Sequence, residues 1–123
     1  MSNHIQEDLA RRTKRFALAV VRLYVTLPKS TVTIVLGKQV LRSGTSVGAH
    51  YREARRAKSN ADFVSKLEGA LQELDESAYW LELLDEAGLS TNEDLRKLIS
   101  ESNELISIFV SVVKRVKGAS QGV

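Results

Sequence analysis

The stretch TVTIVLGKQVLRSGTSVGAHYREARRA, Thr31–Ala57, decides the fold, because its composition fits either a strand or one long helix. Its first five residues, 31–35, are all β-branched and would suit a strand. No second strand candidate occurs anywhere else in the sequence, and a lone strand leaves its backbone groups unpaired. We therefore predict one unbroken helix over about 31–57, glycines included.

Two glycines in the middle of this helix, Gly44 and Gly48, raise the alternative of a phosphate-binding loop. A Walker loop requires G-x-x-x-x-G-K-[ST] after a strand, whereas here three residues separate the glycines and Ala-His follows. In a helix each glycine costs about 1 kcal/mol relative to alanine, a cost that close packing offsets. We predict a seam against a neighbouring helix of the same chain or of another subunit, formed by Ser43, Gly44, Val47 and Gly48.

Three further helices are indicated by apolar residues at helical spacing on either side of this stretch. We predict them over about 6–26, 60–87 and 92–117, with 118–123 as a flexible tail. Pro28 ends the first helix and Gly88 ends the third. Four long helices with short connections predict an all-α, antiparallel up-down-up-down four-helix bundle forming one domain over 1–123.

The apolar face at the end of the third helix is wider than one bundle core requires. Tyr79, Trp80 and Leu83 lie beside the inward stripe that Leu81 and Leu84 continue. A surplus apolar face usually marks a second packing partner. We therefore expect the protein to associate with itself, with these three residues in the oligomer or helix-packing seam.

Charge is divided sharply between the two halves of the chain. Residues 1–58 hold twelve Lys/Arg and three Asp/Glu, a net +9, whereas residues 59–123 hold six and twelve, a net −6. In an up-down bundle three basic clusters converge at one end, which predicts binding to RNA or DNA phosphates. Their residues are Arg11, Arg12, Lys14, Arg15, Arg52, Arg55, Arg56, Lys58, Lys114, Arg115 and Lys117. The alternative is that helices of opposite charge simply lie side by side, within one bundle or between subunits.

A buried ion pair between the second and third helices is the other expected charge contact. Glu73 lies near the apolar stripe, where it could pair with Arg42 or Arg52, and Glu53 is a further candidate member. A pair of this kind, if buried, specifies helix alignment more than it adds stability.

Catalytic and cofactor signals are weak throughout the sequence. The chain has no Cys and two His, His4 and His50, neither of which has a partner at metal-ligand spacing. No apolar run approaches the roughly 20 residues of a membrane helix, and the N-terminus lacks the order of a secretory signal. We expect a cytoplasmic protein that is not an enzyme and uses no metal, cofactor or membrane.

The segments SVGAHYREA and SNADFVSKLEGALQELDESAYWLELLDEAGL resemble the four-helix-bundle proteins encoded by intervening sequences in bacterial large-subunit ribosomal RNA genes. The resemblance covers about 39–117, and His50 stands where that family's pattern has Asn. It implies an all-α bundle that assembles into a ring of identical subunits, commonly five, with no established enzymatic activity. The chain is also similar, more distantly, to accessory variability proteins of diversity-generating retroelements, which implies nucleic acid and a reverse transcriptase as partners.

Overall fold

Four α-helices make up the protein in a computed structural model that describes residues 3–121, with side chains described as far as Ala119. The helices are α1 (Asn3–Thr26), α2 (Thr31–Arg55), α3 (Asn60–Glu86) and α4 (Asp94–Gln121). Within that range there is no strand, so the predicted all-α four-helix fold is confirmed. The deciding stretch forms one helix that runs through Gly37, Gly44 and Gly48 without a break.

Serine caps explain how the β-branched start of α2 becomes helical. The Ser30 hydroxyl accepts a hydrogen bond from the Thr33 amide at 3.2 Å, which satisfies one of the free donors of the first turn. Ser59 caps α3 in the same way, accepting from the Asp62 amide at 3.0 Å. The Asp62 carboxylate in turn accepts a hydrogen bond from the Lys58 amide at 3.2 Å. The Ser59 and Asp62 side chains therefore both stabilise the turn that precedes α3.

The α3–α4 connection is set by Gly88, which has a φ of +66°. The Leu89 amide donates to the Leu84 carbonyl and the Gly88 amide donates to the Asp85 carbonyl, each at 3.0 Å. This is the Schellman arrangement, in which a left-handed residue ends the helix.

Substitution of Gly88 by alanine is expected to lower the free energy of unfolding by about 1–2 kcal/mol, since a Cβ in the left-handed region is strained. Apart from the local backbone and the adjacent residues, no described atom lies within 4 Å of a Cβ added at either Gly88 or Gly118. Gly118→Ala, inside α4, is therefore the matched control and is expected to be neutral or slightly stabilising. Urea unfolding of both variants tests the difference, and equal midpoints would contradict it.

Four helix ends differ from their predicted positions by two residues or more. α1 begins at Asn3 rather than near residue 6, α2 ends at Arg55 rather than near residue 57, and both ends of α4 differ. α4 begins at Asp94 rather than near residue 92, because the Asn92 side-chain carbonyl accepts from the Asp94 amide at 2.9 Å. α4 also continues to Gln121, where a flexible tail from residue 118 was predicted. One glycine does not stop a helix when alanine and glutamine follow it and no proline does. Residues 122 and 123 lie outside the described range.

Each helix packs on two neighbours around a single core. α1 contacts α2 and α4, and α3 contacts the same two, whereas within residues 3–121 the backbones of the diagonal pairs do not approach each other closely. The largest fully buried side chains come from all four helices: Phe16, Tyr51, Leu67, Leu74, Leu81, Leu105 and Phe109. The Tyr51 ring stacks on Phe109 with centroids 5.8 Å apart.

The glycine seam lies inside the chain, between α1 and α2. A Cβ added at Gly44 would come within 2.8 Å of a Val20 methyl, and one added at Gly48 within 3.5 Å of the Thr13 hydroxyl. On the α3 side, the Ser77 hydroxyl donates to the Ser43 hydroxyl at 2.8 Å, and both side chains are fully buried. Val47 is fully buried as well. The neighbour that the sequence left open is therefore a helix of the same chain.

Candidate nucleic-acid interface

All four helices contribute to one end of the molecule, which we call the basic end. A depression of about 290 Å³ there is lined by residues near the start of α1, the end of α2, the start of α3 and the end of α4. Its lining includes Gln6, Arg55, Lys58, Asn60 and Val116. The Tyr51 hydroxyl ties two of these helix ends together by donating to the Gln6 carbonyl at 3.1 Å. Burial raises the pKa of Tyr51 to about 12, with the Arg55 charge opposing, so this donor keeps its proton at neutral pH.

A second depression, the α1–α2 groove, opens beside the basic end and has a volume of about 540 Å³. Its small lining residues, which we call the floor, are Ala10, Thr13, Ala17, Thr45, Gly48 and Ala49, and the buried Tyr51 side chain also lines it. Its rim carries four cationic side chains: Lys14, Arg52, Arg55 and Arg56. The small residues recur at helical spacing on both helices, which places them along one line where α1 faces α2.

The rim cations lack carboxylate partners. Among residues 3–121, none of Lys14, Arg52, Arg55 and Arg56 lies within salt-bridge distance of an acidic side chain, and Lys58 has no such neighbour either. Glu53 also lines the groove, but its carboxylate lies 3.8 Å from the Lys66 ammonium on α3. The groove and the basic end therefore present positive charge that the chain itself does not neutralise.

Two of the predicted phosphate-binding cations are held by carboxylates instead. The Arg12 guanidinium donates to Glu101 from Nε at 3.2 Å and from a terminal nitrogen at 2.7 Å, and it lies 3.3 Å from Glu104. The hydrogen bond to Glu101 raises the pKa of Arg12. Because its side chain is only 18% exposed, Arg12 acts as a clamp between α1 and α4. Lys117 similarly lies 3.3 Å from Glu68 on α3.

The remaining predicted cations do not line the α1–α2 groove. Arg15 lines a separate groove of about 390 Å³ between α1 and α4, together with Arg22, Lys97 and Glu101. Arg115 lines a depression that shares Asn60 and Val116 with that of the basic end. Arg11 and Lys114 are exposed, and neither has an ion-pair partner in the described range. The structure therefore gathers Lys14, Arg52, Arg55 and Arg56 along one groove, with Lys58 beside Arg55.

The ion pair that was predicted to be buried is a surface contact. Arg42 reaches Glu76 at 2.6 Å and Glu73 at 3.3 Å, but its own side chain is half exposed. The hydrogen bond to Glu76 raises the pKa of Arg42. Glu53 pairs with Lys66 rather than joining this cluster. The prediction of burial is wrong because the long arginine side chain runs along the outer edge of the α2–α3 contact, while the buried link at that level is the Ser43–Ser77 hydrogen bond.

The three residues of the surplus apolar face are exposed to different degrees. Tyr79 is 54% exposed, and its ring meets Trp80 edge-on with centroids 5.1 Å apart. Trp80 and Leu83 are partly buried. Within the described residues, the Trp80 indole N–H is buried without a hydrogen-bond partner. An unpaired buried donor of this kind costs roughly 1–3 kcal/mol.

The described residues contain neither a cluster of metal ligands nor a membrane-spanning helix. Among residues 3–121, no group of three or more His, Asp or Glu side chains is placed to hold a metal ion. His50 packs over Gly69 of α3, with its Nδ1 3.1 Å from the position of an added Cβ. None of the four described helices carries an apolar run long enough to cross a membrane.

Comparison with known proteins gives a family and a similar structure. The model of the family described as 23S rRNA-intervening sequence protein matches residues 6–111. A crystal structure of a protein of unknown function from the S23 ribosomal protein family of Bacteroides thetaiotaomicron VPI-5482 is 39% identical. The match covers 89% of this chain and 97% of that chain, with a TM-score of 0.81. No curated protein matches the chain.

Proposed function

The chain belongs to the 23S rRNA-intervening sequence protein family, and we propose that it is a non-enzymatic four-helix-bundle protein whose basic end binds RNA or DNA phosphates. The observation that carries this proposal is the set of unpaired cations gathered at one place: Lys14, Arg52, Arg55, Arg56 and Lys58. Among the described residues, no carboxylate of the other half lies within salt-bridge distance of them. Those of Glu101 and Glu76, for example, pair with Arg12 and Arg42 instead.

Phosphate is the anion that best fits this cluster. Three of the five cations are arginines, whose planar guanidinium can donate two parallel hydrogen bonds to one phosphate group. Four of the five cationic side chains, all but that of Lys58, line one groove. A row of cations along a groove fits a chain of phosphates better than it fits a single small anion. Contacts of this kind position a nucleic acid but carry no sequence information.

Salt dependence tests the proposal directly. With about five phosphate contacts, the logarithm of the affinity for duplex DNA should fall with the logarithm of salt concentration with a slope of about −4 to −5. Between 50 and 200 mM salt the affinity should therefore drop by about 10²- to 10³-fold. Filter binding of structured RNA and duplex DNA measures this. Absence of retention at 50 mM salt would contradict the proposal.

We also propose that the bundle is antiparallel with up-down-up-down order and assembles with copies of itself, as a ring of five on the family resemblance. The order is supported by contact pairs whose numbers rise in one helix as they fall in the next: Gly48 with Thr13, Gly44 with Val20, and Gly37 with Tyr24.

Assembly is supported by exposed apolar side chains on the later half of α1 and the start of α2. Val25 is 76% exposed, Val32 58% and Val35 54%.

Substitution of Val25 by glutamate should then dissociate the assembly, because a charge cannot be buried in an apolar interface without a partner. Light scattering coupled to gel filtration measures the mass, with Lys29→Glu as the exposed control at the same end of the bundle. A wild-type protein that is monomeric at high micromolar concentration would overturn the assembly.

The same apolar side chains support the alternative function, a protein-interaction scaffold without a nucleic-acid role. On the family resemblance its partner would be a reverse transcriptase or another host protein. In that case charge reversal at Arg55 and Arg56 would leave partner capture intact, which separates the scaffold from the nucleic-acid proposal.

A further inference from the structure

We propose that the α1–α2 groove is a binding site for the backbone of a single-stranded nucleic acid, with the phosphates on the cationic rim and the sugars against the floor of small side chains. This inference rests on the proposed function and names the form of nucleic acid that its basic residues bind. The volume of the groove, about 540 Å³, lies in the range of sites that enclose small ligands. The groove therefore holds about one or two nucleotides.

The shape of the groove selects a single strand over a duplex. α1 and α2 approach closely because glycines lie at their contact, Gly44 against Val20 and Gly48 against Thr13. Packed helices lie roughly 8–10 Å apart, so the depression between them is narrower than a duplex, which is a convex rod. A duplex could touch the rim from outside, but only a single strand can reach the floor.

The rim supplies charge where a strand entering the groove would place its phosphates. Arg52 and Arg55 lie in the last turn of α2, Arg56 follows directly after it, and Lys14 lines the groove from α1. Among the described residues, Glu53 supplies the only carboxylate that lines the groove, and this carboxylate lies beside Lys66. A polyanion can therefore approach without displacing an existing ion pair on the rim.

The two hydroxyls of the floor already donate within their own helices, so neither has a free donor for a base or a sugar. The Thr13 hydroxyl donates to the Leu9 carbonyl at 2.8 Å, and the Thr45 hydroxyl donates to the Leu41 carbonyl at 2.7 Å. The Tyr51 ring, which could otherwise stack on a base, is buried against Phe109. Binding should therefore be tolerant of sequence, and oligo-uridine and oligo-thymidine of equal length should bind within about threefold of each other.

A larger apolar side chain on the floor leaves the charge of the protein unchanged, so it tests the groove separately from the rest of the basic end. Ala49 is exposed and Ala17 partly exposed, and both line the groove. Ala49→Leu and Ala17→Leu, each tested singly, should lower the affinity for a 12-nucleotide single strand at least tenfold. Affinity for a 12-base-pair duplex should change less than twofold. Ser107→Leu, on the exposed face of α4, adds a similar side chain away from the groove and should change neither.

The outcomes of this experiment separate the two proposals. If wild-type protein binds neither the single strand nor the duplex at 50 mM salt (roughly the low-salt regime), both proposals fail. If it binds both and the two leucine variants bind the single strand as wild type does, nucleic-acid binding stands and the groove site is overturned. Competition by polyglutamate as strong as that by the single strand would also overturn the groove site, because it would then be a general anion surface. Circular dichroism confirms that each variant is folded, and the exposed Ala49 position keeps the test valid if Ala17→Leu unfolds.

Discussion

Gly44→Ala is expected to lower the free energy of unfolding by about 2 kcal/mol, even though alanine favours helix over glycine by about 1 kcal/mol. The added Cβ would lie 2.8 and 3.0 Å from the two methyls of Val20 and 3.2 Å from its Cβ. Val20 is fully buried in the core, so it cannot swing away. The helices α1 and α2 must therefore separate, which weakens the packing of the whole α1–α2 contact. Urea unfolding measures the change as a lower midpoint with an unchanged slope.

Gly48→Ala is the matched control for this prediction. It lies one helical turn further along the same contact, but its added Cβ would be 3.5 Å from the nearest atom, an ordinary van der Waals distance. We expect it to be neutral or to stabilise the protein by up to about 1 kcal/mol through helix propensity.

A double-mutant cycle assigns the cause of the Gly44 effect. In a Val20→Ala background the clashing methyls are absent, so Gly44→Ala should become neutral or stabilising, a coupling of about 2 kcal/mol. If Gly44→Ala destabilises both backgrounds equally, the close approach to Val20 is not the reason why glycine occupies this position.

Loss of three groove cations should abolish most of the nucleic-acid affinity. Arg52→Gln, Arg55→Gln and Arg56→Gln combined remove three positive charges while keeping polar side chains of similar length. All three residues are exposed, so the fold should be unaffected. The affinity for a single strand at 100 mM salt should fall by about 10²- to 10³-fold, and the salt slope should become shallower by about 2. Fluorescence anisotropy of a labelled strand measures both quantities.

The control for this triple variant removes equal charge from elsewhere. Lys29, Lys38 and Arg96 are exposed, and none of them lines the groove or the basic end. Their combined replacement by glutamine changes the net charge by the same amount, so the affinity should fall by less than about fivefold. Equal losses in the two triple variants would show that net charge alone, rather than the groove, drives the binding.

The backbone of this protein follows from local sequence features. Serine caps, the single proline, the glycine after α3 and the apolar periodicity fix four helices, and these features act within a few residues of one another. They outweigh the β-branched start of α2, because a strand with no partner strand cannot satisfy its backbone. The two ends of α4, at Asp94 and Gln121, differ from the prediction because they depend on a side-chain cap and on the absence of a strong stop signal.

The site could be predicted only in part, because it depends on how the helices turn toward each other. The basic residues at the end of α2 were found from their clustering, but the partners of Arg12 were not, since Glu101 lies 89 positions away in the sequence. The floor of the groove was missed as well. Its signal was present as small residues at helical spacing, Ala10, Thr13 and Ala17 on one helix and Thr45, Gly48 and Ala49 on the other. Periodicity marks such a face, but only the packed structure shows that two of them meet.

Phosphate binding by the unpaired arginines is tested most directly by a titration of isotope-labelled protein with a 12-nucleotide single strand, followed through the arginine Nε–H signals. We expect the signals of Arg52, Arg55 and Arg56 to shift as the strand is added at 50 mM salt (roughly the low-salt regime). Those of Arg12 and Arg42, which are held by carboxylates, should stay in place. Unchanged groove signals, or larger shifts at Arg22 and Arg96, would contradict the claim that these unpaired arginines bind nucleic-acid phosphates.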